Sequence, residues 1–164
     1  MNIPEIVKVK ELMLPIEEYS TVYEDDTVDH AIDVLHESFR YDKNFLMGHR
    51  SLIVLNREKH PVGILTLRNI LSAMNFDEVM LDLQYSTASW ASFYNWHTQN
   101  WTKLKVRDIM RNAGVIHVHP DTSALEAIKI VAQKGVNVLP VVENHEVVGV
   151  VRTIELFDFI AHRI

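Results

Sequence analysis

The sequence predicts an α/β (α+β) fold made of two copies of a β-α-β-β-α unit packed about a pseudo-twofold axis. Two internal matches predict it. Thr21 to Leu35 (TVYEDDTVDHAIDVL) and His117 to Val131 (HVHPDTSALEAIKIV) superpose at an offset of 96 residues, with apolar pairs at Val22/Val118, Val28/Ala124, Ala31/Ala127, Ile32/Ile128, Val34/Ile130 and Leu35/Val131. The match resumes where Leu52-Ile-Val-Leu55 falls on Leu139-Pro-Val-Val142 at an offset of 87, and Val62-Gly-Ile-Leu65 on Val148-Gly-Val-Val151 at 86. A duplicated unit packs readily against its own copy, so paired clefts are expected and function is sought there.

In the first copy, Thr27 caps a helix running through Phe39. The fall in offset from 96 to 87 places nine extra residues within Phe39 to Arg50, read as an elaborated loop. Leu52 to Leu55 and Val62 to Leu65 form a hairpin, and Leu67, Ile70, Leu71 and Met74 give the closing helix its apolar stripe. Asn75 to Leu104 is too long for a plain connection and too aromatic for a flexible linker. Trp90, Phe93, His97 and Trp101 recur there at helical spacing, an aromatic face that suits packing on its own repeat, a dimer interface or a lid over a ligand.

The second copy opens with Ile116 to Val118, a β-branched run ended by Pro120. Ser123-Ala-Leu-Glu126 is a capping box that starts a helix, Ala124, Ala127, Ile128 and Val131 share one face of it, and Lys134-Gly135 ends it. Val138 to Val142 and Val147 to Val151 follow as a hairpin with a loop of about four residues, Glu143 to Glu146. A last helix carries Ile154, Phe157 and Ile160 or Ala161 on one side. The organisation is therefore repeat 1 over 1–74 with an insertion near 39–50, an aromatic insert over 75–104, and repeat 2 over 105–164.

Composition narrows the function classes. A chain of 164 residues buries roughly 70% of its unfolded surface, enough for a true core. The complete lack of cysteine excludes thiol redox chemistry, thiolate zinc sites and a disulfide framework, and makes the cytoplasm the default compartment. No apolar run approaches the roughly 20 residues that span a bilayer, so no membrane insertion is expected. A net charge of −6 without a Lys/Arg cluster argues against nucleic acid.

Val106-Arg-Asp-Ile-Met110, Val115-Ile-His-Val-His-Pro120, Glu126-Ala127, Val138-Leu-Pro-Val-Val142 and Val148-Gly-Val-Val151 resemble the cystathionine-β-synthase (CBS) domain. Val9-Lys-Glu-Leu-Met13, Thr27-Val28, Ala31, Ser51 to Leu55 and Val62-Gly-Ile-Leu-Thr66 are the counterparts in the first copy. The resemblance implies a tandem CBS pair, or Bateman module: a non-enzymatic regulatory sensor binding an adenosyl ligand (AMP, ADP, ATP or S-adenosylmethionine) between repeats. It also implies a homodimer signalling to an unidentified regulated protein in trans, with no cofactor required. The alternative is a ligand-free pair acting as a dimerisation or scaffolding module.

In the family, a Thr/Ser-x-x-Asp motif follows the glycine strand, and its carboxylate grips the ribose diol through charge-assisted hydrogen bonds. Here the first copy has Thr66-Leu-Arg-Asn69 and the second Arg152-Thr-Ile-Glu155. Asn69 offers an amide that accepts from a hydroxyl, and Arg68 or Arg152 suits a phosphate. Against this, Thr66 is an ordinary helix cap and Arg152 and Glu155 a solvated pair at i, i+3. By the same pattern, Ser20, Thr21, Arg50, Ser51 and Leu52 line one site, and Gly114, Val115, Ile116, Asn137, Val138 and Pro140 the other.

Other chemistries find little support. His117 and His119 at i, i+2 on a strand would share a face, as two metal ligands can, but spacing indicates no third or fourth ligand, so no metal site is assigned. His30 and His36 lie on the outward part of the first helix. Phosphate-cradling glycine loops and a Gly-x-Ser-x-Gly elbow are absent. Asp25-Asp26 and Glu17-Glu18 precede helices or lie in loops, where charge is stabilising without chemistry, and no catalytic residue is assigned.

Overall fold

The computed structural model describes residues 6–41, 51–73, 102–111 and 115–162, with the backbone alone at 39–41. Met74, residues 42–50 and the insert as far as Trp101, including the expected face of Trp90, Phe93, His97 and Trp101, lie outside the described residues. In chain order come a 3-10 turn (Val9–Glu11), β1 (Leu14–Pro15), a second 3-10 turn (Ile16–Glu18), β2 (Thr21–Tyr23), α1 (Val28–Tyr41), β3 (Ser51–Leu55), β4 (Pro61–Thr66) and α2 (Leu67–Ser72). There follow α3 (Val106–Ile109), α4 (Ala124–Lys134), β5 (Val138–Glu143), β6 (Glu146–Arg152) and α5 (Thr153–Ala161). They form two compact units, one of 20–58 and 62–114, the other of 1–19, 59–61 and 115–164.

In the unit over 20–58 and 62–114, the strand order is β2-β3-β4. β2 runs parallel to β3, with Thr21 opposite Ile53, and a parallel neighbour requires a crossover, which α1 supplies. Every residue of β3 is buried, as suits a central strand. Thr27 starts α1 as expected, its Oγ1 accepting from the His30 N–H at 3.2 Å. The helix runs through Phe39 as expected and continues two residues further, to Tyr41. Val22, Ala31, Leu35, Leu52, Val54, Leu65, Ile70 and Val106 make the core.

Val106 reaches that core because α3 is strapped to the turn after β2. The Val106 N–H donates to Asp26 O at 2.8 Å and the Arg107 N–H to Glu24 O at 3.1 Å. Beyond it, Ile64 and Arg111 exchange backbone hydrogen bonds. Asp25 receives both the Arg107 guanidinium and Arg57 Nε, the latter at 3.1 Å. Gly63 is needed for the close approach of this strap, since a Cβ there would stand 2.5 Å from Met110 Sδ.

The other unit repeats the device. Its strand order is β1-β6-β5, with Leu14 opposite Val150 and Val138 opposite Arg152. Val9, wholly buried, joins Val118, Ala127, Leu139, Val141, Val151 and Leu156 in the core. Its N–H donates to Thr122 O at 2.8 Å, and that of Lys10 to Pro120 O at 3.0 Å. Asp121 takes Lys8 at 3.2 Å and Lys10 at 3.1 Å, and a Cβ on Gly149 would meet Met13 Sδ at 2.6 Å and Leu14 O at 2.7 Å. Val9 to Met13 precedes the first repeat but sits in the unit of the second. Val106 to Met110 precedes the second but sits in the unit of the first.

Ser123 caps α4 through its side chain, accepting from the Glu126 N–H at 3.1 Å, and Gly135 ends the helix at φ 64°, both as expected. Three expectations are corrected. The β5–β6 loop has two residues, not four: Asn144 and His145 take φ 51° and 68°, a type I′ pattern whose twist matches the strands. The run Ile116 to Val118 is reduced to a single parallel bridge, Val118 to Val141, so His117 and His119 share no strand face. In α5, Leu156 faces the core while Ile154 and Phe157 are 44% and 67% exposed; likewise Ile70 anchors α2 and Leu67 and Leu71 are exposed.

Candidate ligand-reading sites

The Thr66-to-Asn69 segment sits where β4 turns into α2, and a reciprocal capping box fixes it. Thr66 Oγ1 accepts from the Asn69 N–H at 3.1 Å, while Asn69 Oδ1 accepts from the Thr66 N–H at 3.0 Å and the Thr66 hydroxyl at 2.8 Å. The capping reading of Thr66 therefore holds. It also changes what Asn69 offers: with its carbonyl oxygen engaged inside the box, the amide meets an incoming oxygen as an N–H donor, not as the acceptor first expected. Arg68, one position earlier, is exposed.

Among the surrounding residues, Thr21 pairs with Ile53, and Ser20 O accepts from the Ile53 N–H at 3.4 Å. Ser51 is 4% exposed at the start of β3, and neighbouring β4 ends at Thr66, so both lie at one end of the sheet. Leu52 is wholly buried in the core and offers a ligand no side chain. Arg50 lies outside the described residues. A groove of about 460 Å³ touches Ser20 and is otherwise lined by Asp33, Val34, Glu37 and Ser38, two carboxylates that repel a phosphate.

The second reading position is built differently. Glu155 Oε2 accepts from the Arg152 N–H at 2.8 Å and from Arg152 Nε at 3.1 Å; Oε1 accepts from Nε at 2.9 Å and also from Nη2. The two side chains are only 14% and 17% exposed. The solvated pair expected from the sequence is thus a half-buried, doubly bonded one. Charge-assisted bonds of this kind contribute about 1.5–3 kcal/mol each when desolvated, so a neutral hydroxyl competes poorly for that carboxylate.

Asn137 O accepts from the Thr153 N–H at 3.0 Å, and Val138 lies opposite Arg152, so these residues do gather at the β6–α5 junction. Pro140 is buried, its carbonyl accepting from the Val118 N–H at 3.0 Å. Val115 and Ile116 are half-buried, and Val115 O lies 2.9 Å from His117 Nδ1. Gly114 lies outside the described residues. No group of three or more His, Asp or Glu among the described residues is placed to hold a metal.

Two units, each closing with a hairpin and a helix and each with a polar pair at the junction of its last strand and last helix, define a tandem-repeat fold. A model of the CBS domain matches residues 9–75 and 106–162, and the chain belongs to that family. A comparison with curated proteins returned no match.

Solved structures share the fold. The CBS-pair protein CBSX2 from Arabidopsis thaliana is 16% identical with a TM-score of 0.71, covering 97% of each chain. A structure of CBSX2 in complex with AMP is 18% identical with a TM-score of 0.68, over 96% of this chain and 98% of that one. The cytosolic domain of the Mg2+ channel MgtE in complex with ATP is 23% identical with a TM-score of 0.65, over 94% of this chain and 49% of that one.

Proposed function

We propose that the chain is a non-enzymatic regulatory module that binds an adenosyl ligand (AMP, ADP, ATP or S-adenosylmethionine) at the first repeat and signals its occupancy to a partner in trans. The observation that carries this reading is the inequality of the two junctions. At Thr66/Asn69 a neutral box presents the Asn69 amide N–H at the same end of the sheet as Ser20, Thr21 and Ser51, with Arg68 next to it for a phosphate. At Arg152/Glu155 the carboxylate is already held by its own guanidinium. CBS-pair neighbours bound to AMP and ATP support the ligand class. A cysteine-free chain suits the reducing cytoplasm, which is the proposed location.

Thermal shift with AMP, ADP, ATP and S-adenosylmethionine tests it. A bound ligand at 100-fold over its dissociation constant adds about 2.7 kcal/mol. We expect a shift that Asn69→Ala abolishes and Glu155→Ala leaves in place; no shift with any of the four sinks the sensor reading.

A second reading, a homodimer or scaffolding module, is favoured by a separate observation: Leu71 is 54% and Phe157 67% exposed on the closing helices. Contiguous exposed apolar patches mark association surfaces, and on this reading each of these side chains belongs to one. If they do, Leu71→Asp with Phe157→Asp yields a folded monomer by light scattering where the unmodified chain is a dimer. An unmodified chain that is already monomeric removes this reading.

A further inference from the structure

We propose that His60 and His145 form a two-imidazole site for a borderline divalent transition cation of the zinc, nickel or copper type. The two rings lie with centroids 6.0 Å apart and planes tilted by 51°. Both belong to the unit over 1–19, 59–61 and 115–164, His60 just before β4 and His145 in the β5–β6 turn. His60 is held between Lys59, in the left-handed region at φ 63°, and Pro61, which opens β4. His145 is the second residue of the β5–β6 turn, at φ 68°, a position where type I′ turns favour glycine. Rings this close and inclined to one another can each turn a nitrogen toward one shared ion, at the ordinary metal–imidazole distance of about 2.0–2.1 Å.

Charge around the turn favours a cation. Glu143 and Glu146 are register partners across the base of the His145 hairpin, both exposed, and like charges facing each other on a hairpin are unfavourable unless a counter-charge sits near. Lys59, beside His60, opposes this with one exposed positive charge. Imidazole donors select zinc, nickel or copper over magnesium, which prefers oxygen. With two protein ligands, the ion keeps its other positions for water.

Titration calorimetry of the full chain at neutral pH with Zn2+, Ni2+ and Mg2+ tests the site, which shares no residue with the adenosyl reading. We expect saturable Zn2+ and Ni2+ binding and none of Mg2+. His60→Gln should weaken it by roughly tenfold or more, the loss typical of disturbed ligation. His145→Gly is the informative second variant. Glycine relieves the left-handed turn, so this variant should melt higher without metal and yet lose the metal-dependent rise in Tm. The pair His117→Gln and His119→Gln should leave binding unchanged. Zn2+ binding that survives the joint change of His60 and His145, or the absence of saturable Zn2+ binding in the unmodified chain, overturns the proposal.

Discussion

At the scale of single residues, the repeat is held to two glycines that make room for two methionines. Gly63 and Gly149 occupy corresponding strand positions, and an added Cβ would collide with Met110 and Met13 respectively. The collisions are unequal. At Gly149 the backbone oxygen of Leu14 stands 2.7 Å away and cannot yield, whereas at Gly63 the nearest backbone atom, Arg111 O, is 3.1 Å off. Overpacking costs about 1–3 kcal/mol, so Gly149→Ala should fall at the upper end and Gly63→Ala at the lower by denaturant titration. Met110→Ala should partly rescue Gly63→Ala, since the obstacle there is a flexible side chain.

The residue scale also shows what a sequence carries well. Ser123 and Gly135 were legible because capping depends on local backbone geometry. Asn69 and Glu155 were legible as the departures that matter, but their hydrogen-bond states were not. Whether a carboxylate is solvated or gripped by its neighbour depends on burial, which spacing alone does not encode.

Among the elements, the closing helices taught the most. Both carry apolar residues on more than one side, so periodicity could not choose the core face: Ile70 was included, but Leu156 was passed over for Ile154 and Phe157. The consequence is measurable. Leu156→Ala should cost about 2–5 kcal/mol, as truncation of a buried leucine does, while Phe157→Ala should stay within about 0.5 kcal/mol in the monomer. β1 was missed for a different reason. It is only two residues long and includes Pro15, which has no ladder donor. The β5–β6 turn was overestimated because Asn144-His145 lacks the glycine that usually announces a positive φ.

The ion cluster on the N-terminal strap gives this scale its pH dependence. Hydrogen bonds from Lys10 and then Lys8 hold the Asp121 carboxyl below the ordinary carboxylate value. A carboxyl lowered by folding contributes stability above its unfolded value and loses it as pH falls through the folded one. Asp121→Asn should therefore lower Tm at neutral pH, and the difference should close in acid. Because the carboxyl lies at the surface, about 1 M salt should erase most of the effect as well.

For the molecule as a whole, the duplication was legible because it is written in apolar positions, and apolar positions decide what is buried. Six of the eight residues in the first core cluster, Val22, Ala31, Leu35, Leu52, Val54 and Leu65, lie in the matched segments. The remaining two, Ile70 and Val106, come from a closing helix and a strap. Which strap serves which unit could not be read, since Val9-Lys-Glu-Leu-Met13 and Val106-Arg-Asp-Ile-Met110 are too alike to declare a destination. Residues 20–73 produced alone should fail to give a cooperative melt, lacking Val106. Adding residues 102–111 as a separate peptide should restore protection of β3 in hydrogen exchange.

The exchange of straps also bears on how the chain is made. Residues 9–13 are bound by the Thr122 and Pro120 carbonyls, which are synthesised more than a hundred residues later. The first repeat, in turn, must hold its core open until Val106 has emerged. The unit over 20–58 and 62–114 can close once Val106 has emerged, whereas the unit that takes up residues 9–13 must wait for residues 115–164, and long-range closure of this kind slows folding and prolongs the exposure of unpaired edges. A ribosome stalled before Val106 should therefore carry a nascent chain that proteases still cut.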